Sequence, residues 1–345
     1  MIDYFEGTFS PELTADLLLL SKQLHRGPVD VALVQRVVLA VGRQPLARFG
    51  RVSAATGYYL RDHSPRTQTR LLRGFYSASL EPDAGAVIRR LPDMKYLYLS
   101  HHSGWAREAA LKEIRGPADS AFWIVALAYR LNDWVPQVQV AAIDAFERTI
   151  RFTPPAIAAE AVIHLIGRAR EWRRWTTGAR VFQSFQWRPE VIAAVTAQVV
   201  ASPTGPMVRV LRDLLRAKAI DGHLPEIVTR AVQPGVRAVA LDVLLHGRAK
   251  WADGQQRRWV DRSMGRWRNE PRIVERSVAR PAPFDDLLAI GAKDHSPLVR
   301  KVAASALIAH PDLPADPDAW ARIFAADPNV RVRQRGQFFI DREAG

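Results

Sequence analysis

The sequence predicts an all-α protein made of stacked helical hairpins. Three observations carry that expectation. One short motif recurs along the chain, its copies are separated by about one helical hairpin, and most copies open with residues that start helices.

The motif reads Pro-x-Val-Arg-x-x-Ala-x-x-Ala-Leu. Its clearest copy is Pro297, Val299, Arg300, Ala303, Ala306 and Leu307, followed by Pro234, Val236, Arg237, Ala240, Val243 and Leu244. A third copy, Pro136, Val138, Gln139, Ala142, Ala145 and Phe146, carries Gln in the Arg place. Gly104, Ala106, Arg107, Ala110 and Ile114, and Pro328, Val330, Arg331 and Phe338, are looser. Pro206, Val208 and Arg209 keep only the opening, and Pro65, Thr67, Gln68, Leu71 and Phe75 are degenerate. The Arg place falls at 107, 139, 209, 237, 300 and 331, with gaps of 32, 70, 28, 63 and 31. The gaps of 70 and 63 read as two periods each, with missing copies expected near 172–180 and near Pro271 to Val274.

Each feature of the motif has a physical role. Proline in the first helical turn sacrifices no needed N–H and presets φ. Ser64, Ser296 and Asp327, just before it, are placed to cap the first amides. Val299, Val302, Ala303, Ala306 and Leu307 then share one helical face, as do Val236, Ala240 and Leu244, and Val138, Ala142 and Phe146. All are expected in the core, where small alanines admit a close neighbour. Second amphipathic stretches at 120–131, 156–166 and 189–200 supply the partner helices. A single hairpin buries little, and stacking provides the core.

These residues resemble HEAT repeats of the short bacterial type, well over about 100–340 and weakly over 1–100. The resemblance implies a right-handed α-solenoid, with degenerate helical repeats in 1–100 continuous with HEAT-like repeats in 101–345. It also implies that an Arg of the motif pairs with an acidic group or carbonyl of the next repeat, although the motif helices also line the concave face where a ligand would sit. Fold alone is nearly silent on function.

Bulk composition narrows the classes. The chain has 345 residues, 48% of them hydrophobic, which is enough for a continuous core. Its longest uncharged apolar stretches are far shorter than a membrane span. The N-terminal Met-Ile-Asp-Tyr-Phe-Glu is acidic where a secretory signal is basic, so a cytoplasmic location without membrane association is expected. With no cysteine, disulfides, thiolate metal sites and a Cys nucleophile are excluded.

The net charge is +14, which draws polyanions or acidic proteins. Three segments hold the excess: 43–73 at +6, 168–188 at +5 and 248–272 at +5. The second and third interleave tryptophan with arginine. Arg170, Arg173, Arg174 and Trp175, beside Trp172, form one cluster, and Arg257, Arg258, Trp259, Arg262, Arg266, Trp267 and Arg268 the other. Arginine offers forked contacts to phosphate, and indole rings offer stacking surfaces. The competing reading buries the tryptophans in the core with arginine stems laid over them. Both clusters are expected on one partner-binding surface.

Signs of chemistry are sparse. Phosphate-loop, dinucleotide, nucleophile-elbow and zinc-protease motifs are absent from the sequence. His101 and His102 are read as a loop or helix start rather than a metal site. Neither a cofactor nor a small-molecule substrate is expected. The expected function is a non-catalytic binding scaffold for nucleic acid; the alternative is an adaptor or inhibitor gripping an acidic protein. A third reading follows from similarity to HEAT-repeat alkylpurine DNA glycosylases, for which Asp133, Trp134 and Trp123 are the residues of the right type. The competing role for Asp133 is to cap the helix opened by Val135 and Pro136.

Overall fold

The computed structural model describes residues 5–61, 83–174 and 176–344. The degenerate copy at Pro65 to Phe75 lies outside them. Regular structure is mostly α-helical, and the chain divides into two compact units, Met1–Val191 and Ile192–Gly345. The boundary falls within the helix Pro189–Ala201; residue 100, where the repeats were expected to sharpen, lies inside the first unit.

In the first unit the motif helix Pro136–Ile150 packs against Gly104–Glu113, Ala121–Arg130 and Thr176–Gln186. The last of these begins where a missing copy was expected. In the second unit Pro234–His246 packs on Leu224–Arg230, Phe284–Ala292 and Pro297–Ala309, and Pro297–Ala309 packs in turn on Val330–Ala344. Every expected core residue of the three best copies is buried except Val302, which is half-buried. Ala303 is small for a reason. A Cβ placed on Gly291 would lie 2.7 Å from both the Ala303 Cβ and Leu241 Cδ2, so the helices of Gly291 and Ala303 approach closely there with the Leu241 side chain packed against them.

Gly336 marks a closer approach. A Cβ there would stand 2.2 Å from the Ala325 amide nitrogen and 2.6 Å from the Phe324 carbonyl carbon. Backbone cannot swing aside as a side chain does, so Gly336→Ala is expected to cost about 2–3 kcal/mol. A thermal melt settles it: an unchanged Tm contradicts the contact.

The expectation of no sheet is overturned. Residues 248–277, where a missing helical copy was placed, form an antiparallel pair, β1 (Arg248–Asp261) and β2 (Arg266–Ser277). Gly247, at φ +63°, ends the preceding helix in the left-handed conformation. The residues beyond it suit a ribbon: Trp251, Trp259, Val260, Trp267, Ile273 and Val274 are aromatic or β-branched and set among polar residues. The Asp261 carboxylate closes the turn, accepting from the Ser263 amide at 2.9 Å, its hydroxyl at 2.6 Å and the Met264 amide at 3.2 Å. Gly265 supplies the positive φ of +64°.

His164 gives the first unit a pH dependence. Its ring packs edge-on to Phe49, 6.4 Å away, and its Nε2 is buried without a hydrogen-bond partner among the described residues. Burial, helped by the Arg168 charge, lowers its pKa from 6.5 to about 4. The unfolded chain therefore takes up a proton that the folded chain refuses, and stability falls as pH drops from 6.5 towards 4. Because the ring is only partly buried, the expected loss is roughly 2 kcal/mol rather than the full value of the shift. His164→Leu should remove this component from urea midpoints measured across that range.

Candidate functional site

The motif arginines are candidates for both a structural and a ligand-binding role. Arg107 donates from Nε and Nη2 to the two oxygens of Asp133, both at 2.9 Å, and from Nη1 to the carbonyls of His101 and His102. Arg237 repeats the arrangement with Asp294 at 2.7 and 2.9 Å and the carbonyls of Ala231 and Val232. Arg300 does so with Asp327 at 2.7 and 3.1 Å and the carbonyls of Asp294 and His295. Each arginine clasps the loop before its own helix and the loop aspartate of the following repeat.

The aspartates complete the clasp by capping an amide two residues on: Val135, Ser296 and Asn329, respectively. In the last repeat the clasping residue is Arg333, which donates to the carbonyls of Asp327 and Pro328, and not Arg331 as the motif register suggested. Pro328 lies in the loop and the helix starts at Val330, so Val332 and Arg333 take the Val and Arg places. Gln139 donates to the Asp133 carbonyl. Arg209 is exposed on Met207–Leu214.

These bonds assign Arg107, Arg237 and Arg300 to structure. Asp133 is shut away as well. Its side chain is 1% exposed and is shared between Arg107 and Arg130, so this carboxylate is not presented to a flipped base. Trp123 is buried while Trp134 is exposed, with the Arg107 guanidinium 5.9 Å from its ring. His101 and His102 lie in the loop before Gly104–Glu113, with ring centroids 4.3 Å apart. No group of three or more His, Asp or Glu side chains suited to a metal occurs among the described residues. Nor is any described helix long and apolar enough to cross a membrane.

The first Arg–Trp cluster is only partly placed. Arg173 and Arg174 are exposed in the coil before Thr176–Gln186, where the Arg174 amide bonds Asn132 Oδ1 at 2.9 Å. Trp172 is half-buried, edge-on to Tyr129 at 5.0 Å. The Arg170 side chain and Trp175 lie outside the described residues. In the basic segment 43–73, Arg48 and Arg51 bind the carbonyls of Glu6, Gly7 and Thr8 and so fasten the N-terminal segment.

The second cluster is the β-hairpin, and here the core reading of its tryptophans fails. Trp259 is 53% exposed and Trp267 is 43% exposed, and Arg257, Arg258, Arg262, Arg266 and Arg268 are all exposed. The register sorts them onto two faces. Trp259 stands opposite Trp267 and Arg257 opposite Asn269, so these four share one face. The Arg257 guanidinium lies 4.2 Å from the Trp267 ring centroid. Arg258 stands opposite Arg268 on the other face, where Glu270 ion-pairs with both. Partial burial raises the Glu270 pKa, and hydrogen bonds from Arg268 and Arg258 more than offset it, holding the carboxyl below its usual range.

Among the described residues, the hairpin is fixed at its base. Ala249 is fully buried, and Arg276 grips the carbonyls of Leu215 and Ala217 and the Asp221 carboxylate. Arg216 binds the Ala252 carbonyl and Asp253, which also pairs with Arg272. Between positions 254 and 269 every residue but Asp261 is exposed. Such a ribbon is marginal on its own. It therefore depends on this arginine-bonded base, and its outer half offers cations and large apolar side chains to solvent. By contrast, an open cleft of about 470 Å³ in the first unit mixes Arg61 and Lys112 with Asp83 and Glu108.

Compared with known proteins, the chain matches no family model, no curated protein and no solved structure.

Proposed function

We propose that this chain is a non-catalytic, HEAT-like helical-repeat scaffold that binds nucleic acid, with the β-hairpin as its principal contact element. The observation that carries the reading is the outer hairpin, where five arginines and two tryptophans are exposed on a ribbon whose contacts to the helices, among the described residues, lie at its base. Buried acids consume the cations of the helical clasps, whereas Arg262 and Arg266 at the turn make no salt bridge among the described residues. A two-stranded ribbon also has the dimensions to follow a nucleic-acid groove or strand. The HEAT-like assignment rests on the repeated Arg–Asp clasp. A cytoplasmic location fits the same reading.

The test is binding to DNA and RNA as a function of salt. Neutralising Z phosphates gives a log–log slope of about −0.9Z on duplex DNA and about −0.7Z on single strands. Contact through the five exposed arginines predicts a steep slope, and a neutral polymer should not compete. Failure to bind either nucleic acid at low salt would overturn the proposal and make an acidic protein the leading partner.

A further inference from the structure

The two faces of the hairpin differ, and the difference bears on which nucleic acid it takes. We infer that the face formed by Arg257, Trp259, Trp267 and Asn269 is a stacking platform for unpaired bases, so that the preferred ligand is single-stranded nucleic acid. This inference rests on the nucleic-acid reading above.

The two faces differ in what they have left to offer a ligand. On the Arg258 face the two opposed guanidiniums are already bridged by Glu270, which leaves that side's charge partly neutralised. On the other face the two indoles are directly opposed in the register and both are about half exposed. The apolar surface of a tryptophan in water gains by being covered, and a base offers a flat partner of matching size. In an intact duplex the bases are stacked on one another and present only their edges, so an indole finds no open face to meet. Arginine and asparagine complete the set. Arg257, already over Trp267, is placed to extend the π stack, and Asn269 carries both a donor and an acceptor for a base edge. At the turn just beyond the indoles, Arg262 and Arg266 are exposed cations for the phosphates of a bound strand, with Arg266 alternating onto the Arg268 face.

The register also sets the two indoles side by side on paired backbone. Trp259 and Trp267 are an aligned cross-strand pair just inside the turn, with the only nearby irregularity between Trp259 and Asp261. The Asp261 side chain ties that turn with three hydrogen bonds. The rings are thus carried on paired backbone rather than on a loose loop.

The experiment uses the full chain and four probes: labelled 20-nucleotide oligothymidylate, a 20-base-pair blunt duplex, heparin and anionic phospholipid vesicles. Oligothymidylate should bind at least about 10-fold more tightly than the duplex, as stacking of one or two bases predicts. The double variant Trp259→Leu/Trp267→Leu should remove that preference while leaving heparin affinity and Tm unchanged, and Trp259→Tyr/Trp267→Tyr should restore most of it. Equal or tighter duplex binding, or an undiminished preference in the leucine variant, overturns the platform and leaves the nucleic-acid reading standing. Binding to vesicles with none to either nucleic acid overturns both. If the leucine variant also loses heparin binding, the single substitution Trp259→Leu repeats the comparison with less disturbance to the ribbon. The platform fails if that variant keeps the full preference.

Discussion

Asp133→Ala is expected to destabilise the first unit by about 3–5 kcal/mol, the largest single-site effect among the clasp residues. The Arg107 and Asp133 side chains are 3% and 1% exposed, so both charges are out of water and depend on one another. Removing the carboxylate leaves the Arg107 guanidinium buried without its counter-ion, frees Arg130 as well, and uncaps the Val135 amide. Breaking a buried pair from one side costs that much because the remaining charge keeps its desolvation penalty and loses the attraction that offset it. The other clasps are wetter, with arginine and aspartate side chains 14% and 10% exposed at Arg237–Asp294 and 15% and 7% at Arg300–Asp327. Asp294→Ala and Asp327→Ala should therefore cost less, about 2 kcal/mol each. Urea midpoints for the three variants give the ranking, and a loss at Asp133 no greater than the others refutes it. The double change Arg107→Met/Asp133→Leu should recover much of the loss, because it removes both charges together.

Arg257→Glu/Arg258→Glu is expected to weaken nucleic-acid binding at least about 100-fold at low salt while leaving Tm nearly unchanged. The double reversal replaces two attractive charges with two repulsive ones, and each lost phosphate contact also flattens the salt slope. Both positions are exposed and outside the helical packing, so the helical units should not register the change. Glu at 258 would stand beside Glu270 and strain the ribbon. Arg262→Glu/Arg266→Glu, at the turn, avoids that neighbour and is the companion variant. If both variants bind as the parent does, the hairpin is not the contact. A large drop in Tm would show that these arginines hold structure.

The contrast between the clasps and the hairpin marks what was readable in the sequence. The Pro297, Pro234 and Pro136 copies combine a helix-starting proline with a helical run of Val, Ala and Leu, two local signals that agree, and the helices stand where those signals put them. The hairpin was hidden by arithmetic. The 63-residue gap between Arg237 and Arg300 is close to two periods, so a ribbon of about one period passes for a degenerate repeat. Composition held the missing clue. Residues 248–277 contain only Ala249 and Ala252 as alanines, where a motif helix has several, and set Trp251, Trp259, Val260, Trp267, Ile273 and Val274 among polar residues on either side of Gly265. Arg333 escapes a register set by proline because Pro328 lies in the loop and the helix starts at Val330. The spacing from a loop aspartate to the clasping residue six positions on, as in Asp133–Gln139, Asp294–Arg300 and Asp327–Arg333, locates it. The exposure of Trp259 and Trp267 was beyond reach, because a tryptophan beside arginines reads the same on a core helix and on a free ribbon.

The spacing of the clasps has a consequence for how the chain closes on itself. Arg107 reaches an aspartate 26 residues on and Arg300 one 27 residues on, whereas Arg237 must reach 57. The excess matches the 30 residues from Arg248 to Ser277, so the ribbon accounts for the longer reach of the Arg237 clasp. Doubling the length of a flexible loop adds only about 0.6 kcal/mol to the entropy of bringing its ends together. Even that is avoided if the strands zip first, which takes on the order of microseconds and draws Arg248 and Ser277 side by side. The helices flanking the ribbon then meet across a gap no longer than elsewhere in the repeat. A ribbon joined in this way can lengthen, shorten or change its side chains at almost no cost to the folding of the helices that carry it.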